Sequence, residues 1–151
     1  MIVSQDFREF LQLLNENQVR YLVVGGYAVA YHGNPRFTKD IDLWIDRTRP
    51  NAERLLSVLR EFGFGDLGAT IEDFLQDDQI VQLGRPPNRI DLLTSVPWVE
   101  FDACYQAKVL ADDQGLTVPL IDLRSLIRAK EASGRLQDLA DVEKLEEAAG
   151  P

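Results

Sequence analysis

The sequence predicts an α/β (α+β) domain in which a mixed β-sheet is flanked by helices. Two observations predict it: apolar residues recur with the helical period in several segments, and short apolar runs of strand type separate those segments. The chain has 151 residues, of which 45% are hydrophobic and 27% are charged, as is typical of one compact globular domain. We therefore expect a single domain over residues 1–151, with a core at 1–97 and an extension at 98–151 that holds a β-pair and a helical hairpin.

The first predicted elements are an amphipathic helix and a strand. Apolar residues fall at i, i+3, i+4 and i+7 between Phe7 and Leu14, which predicts a helix, and Ser4 or Asp6 is placed to cap its N-terminus. The apolar run Val19–Val24 predicts the first strand of the sheet.

The segment after this strand combines two glycines with two aspartates. Gly25 and Gly26 allow a tight turn and the close approach of a ligand, and the short helix that follows offers its N-terminal N–H groups to an anion. Asp40 and Asp42 stand two apart on a second strand, so both side chains leave one face, roughly 6–7 Å apart. Their repulsion, about 3 kcal/mol at an effective dielectric near 20, would be relieved by a cation. The pattern predicts a phosphate-binding turn beside a divalent-metal site.

The middle of the chain predicts a helix and a β-hairpin. The helix starts at Thr48, with Pro50 in its first turn, and Gly63 ends it. A glycine-rich loop covers residues 61–70. The runs Gln79–Leu83 and Arg89–Leu93 then predict two strands joined as a hairpin through residues 84–88.

The C-terminal part predicts three helices and a short β-pair. The predicted elements are a helix at Trp98–Ala107, strands at Lys108–Ala111 and Leu116–Pro119, and helices at Leu123–Ser133 and Leu136–Ala149. Gly134 separates the last two helices. The acidic residues between Asp141 and Glu147 are expected to form a solvated helix face.

Charge and composition narrow the class of function. The net charge of −9 and the pI near 4.6 argue against a broad nucleic-acid footprint, although a local basic site for a nucleotide or an RNA end is compatible with them. The single cysteine, Cys104, is expected to be a small buried hydrophobe. Because the N-terminal segment lacks a signal-peptide pattern and no apolar run is long enough to span a membrane, we expect a cytoplasmic protein without a membrane partner.

Asp91 adds a third carboxylate to the two on the second strand. It is the only acid in the apolar core of its own strand, where a lone aspartate could equally face solvent. Together with Asp40 and Asp42 on a neighbouring strand, however, it could hold two Mg²⁺ ions about 3.5–4 Å apart for an in-line displacement.

The arrangement of these residues resembles the DNA polymerase β-like nucleotidyltransferase superfamily. That pattern has a strand ending in Gly-Gly or Gly-Ser, a helix, an Asp-x-Asp pair on the next strand and a later third acid. The likeness is closer to small bacterial AbiE-type toxins and to lincosamide nucleotidyltransferases, through GGYAVAYHG, through Arg36 and Thr38 before the DID motif, and through AKEASGRLQDLADVEKL. It covers nearly the whole chain, and the combined pattern is far more specific than Gly-Gly alone.

The resemblance implies the nucleotidyltransferase fold and a set of site residues. It implies that Asp40 and Asp42 bind Mg²⁺ or Mn²⁺ ions that bridge the triphosphate, and that Asp91 completes the metal site and helps to activate an acceptor hydroxyl. Gly25 and Gly26 would contact the β- and γ-phosphates, and residues 1–97 would be the catalytic core.

The resemblance also implies a reaction and partners. An NMP would pass from an NTP, such as ATP, to an acceptor that is an RNA or tRNA end, a protein or a small molecule. The protein would be a toxin–antitoxin or phage-defence component with a cognate toxin or antitoxin as partner.

Three basic residues are candidate phosphate ligands. Arg36 could bind phosphate or be an ordinary surface arginine. Lys130 continues the apolar stripe of its helix, so it needs an anionic partner or a route to solvent; with Arg135 it would suit a triphosphate, and the alternative is a snorkelling lysine. One departure from the family pattern is Gln137 before Asp138, where relatives often have lysine.

Two other functions remain open at this stage. A non-catalytic antitoxin or partner-binding module could keep the same fold. A metal-dependent phosphohydrolase is less well supported because the chain has one histidine, His32, which we expect to be a helix-end or packed residue.

Overall fold

The computed structural model describes residues 3–34, 38–65, 68–84 and 88–150. The α-helices within these ranges are α1 (Gln5–Glu16), α2 (Gly25–His32), α3 (Arg49–Phe62), α4 (Phe101–Gln106), α5 (Leu123–Ser133) and α6 (Leu136–Ala149). The strands are β1 (Tyr21–Val24), β2 (Ile41–Ile45), β3 (Ile80–Leu83), β4 (Ile90–Leu93), β5 (Val109–Asp113) and β6 (Leu116–Leu120). A short 3₁₀ helix covers Glu72–Phe74. The candidate phosphate ligand Arg36 lies outside the described residues.

The strands form one six-stranded mixed sheet in the order β3-β4-β2-β1-β6-β5. The pairs β2–β4 and β1–β6 are parallel, and the pairs β1–β2, β3–β4 and β5–β6 are antiparallel. The predicted α+β class is thereby confirmed, as are the predicted hairpin of β3 and β4 and the β-pair of β5 and β6.

The central strand β2 has one apolar face and one face that carries an acid. Ile41, Leu43 and Ile45 are buried and alternate with Asp42 and Trp44. Because side chains alternate between the two faces of a sheet, burial of the three aliphatic residues directs Asp42 to the other face. Each such burial stabilises the fold by about 1.5–3 kcal/mol, so the register of β2 is strongly specified.

The helices fall into two contact groups. Helix α1 packs against α3, with an edge-to-face contact between Phe10 and Phe62. Helix α2 instead contacts α5 and α6, which pack on each other as the predicted hairpin. Ser4 caps α1 by accepting the N–H of Phe7 at 3.3 Å, as predicted. In the described ranges, no helix is both long enough and apolar enough to cross a membrane.

Two predicted element starts are wrong, by two and by three residues. The first strand begins at Tyr21 rather than Val19, because Gln18 has a left-handed backbone (φ 57°) and the N–H of Val19 still donates to a carbonyl of α1. The helix predicted from Trp98 begins at Phe101, because Trp98 also has a positive φ of 71°. Neither residue is a glycine, so residue type does not indicate these turns.

Candidate active site

Three carboxylates lie around one guanidinium. In the parallel pair of β2 and β4, Asp42 lies directly beside Asp91. Asp40 sits on the bend before β2 rather than in the strand, which corrects the prediction that strand spacing alone joins it to Asp42. Asp40 meets the others through Arg89, whose Nη2 lies 3.2 Å from Asp40 Oδ2 and whose Nε lies 2.8 Å from Asp91 Oδ1. The structure therefore brings together the three acids that the sequence singled out.

Burial and crowding of negative charge act on Asp42. Burial, the hydrogen bond and charge of Asp91 and the charge of Asp40 raise the pKa of Asp42 from 3.8 to about 6, although Arg89 acts in the opposite direction. The ionised form of this carboxyl is therefore destabilised at neutral pH, first by burial and then by repulsion from Asp91 and Asp40. The negative charge of the three carboxylates exceeds the positive charge of Arg89, so a further cation would stabilise the cluster.

The donor set of this cluster suits a hard divalent cation. Carboxylate oxygens are the protein ligands that Mg²⁺ and Mn²⁺ prefer, and Asp40, Asp42 and Asp91 present only such oxygens. In the arrangement seen, Arg89 engages both oxygens of Asp91, at 2.8 and 3.2 Å. Accordingly, no group of three or more His, Cys, Asp or Glu side chains in the described residues is set out to hold a metal ion. The residue types therefore suit a metal ion, but Arg89 occupies the carboxylate oxygens of Asp91 that such an ion would use.

The two glycines are fixed by close packing at the start of α2. The helix begins at Gly25 itself, so the predicted turn is a single residue with φ 66°. A Cβ on Gly25 would lie 2.1 Å from Oδ2 of Asp42, and a Cβ on Gly26 would lie 2.9 Å from Cγ2 of Thr38. Only glycine allows this backbone to approach Asp42 so closely. No side chain caps α2, so no capping group occupies its first N–H groups.

A cleft of about 520 Å³ joins the acid cluster to the helical hairpin. Gly25, Asp42 and Asp91 line its sheet side, and Lys130 and Arg135 line its helical side. These residues come from four separate elements, namely α2, β2, β4 and the hairpin of α5 and α6. The cleft thus gathers most of the sequence-predicted site residues around one space.

Lys130 has anionic partners of its own within this cleft. Its Nζ lies 2.9 Å from Asp138 Oδ1 and 2.9 Å from Asp141 Oδ2, and its side chain is 12% exposed. It is an inward-facing, paired lysine and does not snorkel to the surface. Arg135 also contacts Asp138, with Nε 2.8 Å from Oδ2, but its side chain is 79% exposed.

Hydrogen bonds hold Asp138 in its ionised form. Burial would raise its pKa, but hydrogen bonds from Ser133, Lys130 and Arg135 outweigh burial and lower the pKa to about 2. Gln137 donates to Oδ1 of Asp141 at 3.0 Å. Gln137 therefore takes part in the same network.

Sequence reasoning missed two residues of this site. Asp141 was expected on a solvated helix face, but it is 1% exposed and also accepts a hydrogen bond from Asn34. The available signal was its helical spacing, since Asp141 stands four residues before Leu145, which is fully buried. Arg89 was treated only as the start of a strand, although its position two residues before Asp91 places both on one side of the chain.

His32 is a structural residue, as expected. Its Nε2 lies 2.7 Å from the carbonyl oxygen of Ile121, at the last turn of α2. The N–H that it donates there ties α2 to the segment between β6 and α5.

A second cavity, of about 700 Å³, adjoins the cleft across the segment 95–97. The aromatic side chains of Trp44, Trp98 and Phe101 line it, and Trp98 is 74% exposed. The acidic side chains that line it are Asp46, Asp77, Asp78, Glu100 and Asp102. Arg47 is the one basic residue of its described lining. The wall of this cavity is therefore mainly acidic and aromatic.

Comparison with known proteins places this architecture. The chain matches no protein family model and no curated protein, but solved structures match it over nearly its whole length. A Thermotoga maritima protein proposed to be a nucleotidyltransferase is 16% identical, with 91% of this chain and 88% of that chain covered and a TM-score of 0.61. The lincosamide antibiotic adenylyltransferase LnuA, with lincomycin bound, is 18% identical, with 96% and 97% covered and a TM-score of 0.60. The chain has the nucleotidyltransferase fold.

A further nucleotidyltransferase-fold structure is that of ANT(2'')-Ia in complex with adenylyl-2''-tobramycin. It is 13% identical, with 95% of this chain and 87% of that chain covered and a TM-score of 0.58. At identities this low, the structural likeness shows the fold alone. The roles proposed for individual residues therefore rest on the geometry of the cleft.

Proposed function

We propose that the protein is a metal-dependent nucleotidyltransferase that moves NMP from an NTP to an acceptor hydroxyl. The observation that carries this proposal is the cleft of about 520 Å³, which unites the carboxylates of Asp42 and Asp91, the start of α2 and two basic side chains. Carboxylates suit a divalent metal, and helix N–H groups and basic side chains suit a triphosphate. The nucleotidyltransferase fold of the chain agrees with this chemistry.

Asp40, Asp42 and Asp91 would hold Mg²⁺ or Mn²⁺. When bound, the metal would neutralise charge on the triphosphate and make the acceptor hydroxyl a better nucleophile. Asp91, which is 8% exposed, would keep its carboxylate away from competing water. The close contact of Gly25 with Asp42 would keep the carboxylate oriented toward the cleft.

The triphosphate would lie between α2 and the helical hairpin. The N–H groups at Gly25 and Gly26 would bind phosphate oxygens, since no side chain caps this helix end. The two ion pairs of Lys130 use two of its three N–H donors, and the third would reach a phosphate oxygen. Arg135, exposed at the edge of the cleft, would close onto the β- and γ-phosphates. For Arg36 the same role remains a prediction.

We propose a small molecule as the acceptor and the second cavity as its entry side. The acidic and aromatic wall of this cavity and the net charge of −9 disfavour a polyanion such as RNA. The two antibiotic complexes described above, of LnuA with lincomycin and of ANT(2'')-Ia with adenylyl-2''-tobramycin, contain small molecules at the same fold. An RNA or tRNA end and a protein side chain are the alternative acceptors.

Transfer of label from each NTP tests the proposal. The protein is incubated with α-labelled ATP, GTP, CTP or UTP, with Mg²⁺ or Mn²⁺, and with a small-molecule extract, total RNA or lysate protein as acceptor. We expect label to enter the small-molecule fraction and to be lost with Asp42→Asn. Label in RNA or protein would reassign the acceptor, and transfer by a folded Asp42→Asn protein would place the chemistry elsewhere.

A non-catalytic module with this fold is the second candidate function. The observation that favours it is Arg89, which already supplies a cation to Asp40 and Asp91. Calorimetry separates the two candidates, because a module of this kind would bind neither Mg²⁺ nor an NTP. The AbiE-type toxin–antitoxin or phage-defence role, the cognate partner and the cytoplasmic location remain predictions from the sequence.

A further inference from the structure

The geometry points to Arg89 as an internal cation that closes the carboxylate cluster and must leave Asp91 before a divalent metal binds. This inference rests on the metal site of the proposed function and adds a residue that controls it. Its consequence is that metal and nucleotide bind together, because the triphosphate gives Arg89 another anionic partner.

The side chain of Arg89 forms a two-pronged contact with Asp91. Nε lies 2.8 Å from Oδ1 and Nη2 lies 3.2 Å from Oδ2, so both carboxylate oxygens accept from one guanidinium. Nη2 also lies 3.2 Å from Oδ2 of Asp40. A planar fork of this kind is among the stronger ion pairs in proteins. A metal that needs an oxygen of Asp91 therefore competes directly with Arg89.

The backbone at Arg89 is held while its side chain has a way out. The carbonyl oxygen of Arg89 accepts the N–H of Ile41 at 3.0 Å, and the N–H of Arg89 points to Oδ1 of Asp40 at 3.4 Å. The side chain is 27% exposed, so rotation toward solvent requires no movement of β2 or β4. Opening of the cluster is thus a side-chain event in an otherwise fixed sheet.

Because both are cations, Arg89 on Asp91 and a divalent metal on the same carboxylates compete with each other. The three carboxylates and Arg89 sum to −2 at neutral pH, from −3 and +1. A divalent ion among the same oxygens would stand against the guanidinium with like charge in a part-buried site, where repulsion is poorly screened. Metal affinity is then lowered by whatever free energy holds Arg89 on Asp91. By reciprocity, a triphosphate that draws Arg89 away raises metal affinity, and the metal raises nucleotide affinity by the same factor.

Titration of Mn²⁺ into the protein tests this inference. Free Mn²⁺ is followed by electron paramagnetic resonance for wild type, Arg89→Gln, Arg89→Lys and the control Arg49→Gln. The control removes the same charge from an exposed ion pair with Glu72, outside the carboxylate cluster and both cavities. We expect Arg89→Gln to bind Mn²⁺ at least about tenfold more tightly than wild type, Arg89→Lys to fall between, and Arg49→Gln to match wild type.

Nucleotide coupling is measured in the same titration. A non-hydrolysable NTP analogue should tighten Mn²⁺ binding several-fold in wild type and much less in Arg89→Gln. Unchanged or weaker Mn²⁺ binding by Arg89→Gln overturns the inference, provided that wild type has a Mn²⁺ site that is lost in the Asp42→Asn variant. If no Mn²⁺ site sensitive to Asp42→Asn exists, the proposed function itself fails.

A measurement on the wild-type protein covers the case in which Arg89→Gln does not fold. In the ¹⁵N NMR spectrum of arginine side chains, the Nε–H of Arg89 should exchange slowly with water in the metal-free protein. Mg²⁺ together with the NTP analogue should shift this signal and speed its exchange. A signal of Arg89 that stays unchanged while the metal binds would show that the fork does not open.

Discussion

Replacing Asp42 by asparagine should stabilise the metal-free protein at neutral pH. The structure raises the pKa of this carboxyl from 3.8 to about 6, and each pKa unit between the unfolded and folded states is worth about 1.36 kcal/mol. The free energy of unfolding of wild type therefore falls by up to about 3 kcal/mol as the pH rises from below 3.8 through 6. Asparagine keeps the shape, carries no charge and can donate a hydrogen bond to Asp91. We expect the free energy of unfolding of Asp42→Asn to exceed that of wild type by 1–3 kcal/mol, roughly, at pH 7.

Urea denaturation between pH 4 and 8 in EDTA measures this difference. The gain should be small at pH 4, where the wild-type carboxyl is protonated, and complete above pH 7. Asp112→Asn is the matched control, since Asp112 is an exposed aspartate on β5, and surface substitutions of this kind usually change stability by about 0.5 kcal/mol or less. Addition of Mg²⁺ should reverse the order, because a ligand of the native state stabilises only the protein that binds it. A variant no more stable than wild type at pH 7 would refute the reasoning from crowded charge.

Three further changes test the site. Gly25→Ala should lower the free energy of unfolding by about 2–4 kcal/mol, because the added Cβ would lie 2.1 Å from Oδ2 of Asp42. The control Gly68→Ala, also at positive φ but with nothing within 4 Å of its Cβ, should lower it by only about 1 kcal/mol. Equal losses of the two variants in urea titrations would contradict the role of the contact with Asp42. Arg135→Ala should weaken NTP binding by roughly 1.5–3 kcal/mol in calorimetric titrations with little change in stability, whereas unchanged affinity would leave this arginine as a surface residue. Asp138→Asn should lower the free energy of unfolding by about 2 kcal/mol at pH 7. In urea titrations this loss should fade as the pH drops from 3.8 through the native pKa of about 2. A loss that is constant with pH would assign the effect to packing instead of charge.

The local elements could be predicted from the sequence because their signals are local. The apolar stripes and glycine breaks of the last two helices predicted Leu123–Ser133 and Leu136–Ala149, and the structure has both with the same bounds. The helix around Phe7–Leu14 and the hairpin of β3 and β4 followed in the same way. The misplaced boundaries, at Gln18 and Trp98, lie where a non-glycine residue adopts a positive φ, which side-chain type does not indicate.

The sequence by itself also predicted several residues of the candidate site. Gly25-Gly26, the aspartates and the late basic residues were recognisable from spacing. Sheet topology alone decided that they meet: the parallel pairing of β2 with β4 puts Asp42 beside Asp91, which is 49 residues away in the chain. The partners of Arg89, Lys130 and Asp141 were likewise fixed by the fold. Short-range periodicity determines helices and strands, whereas the pairing of distant charges depends on which surfaces the buried core brings together.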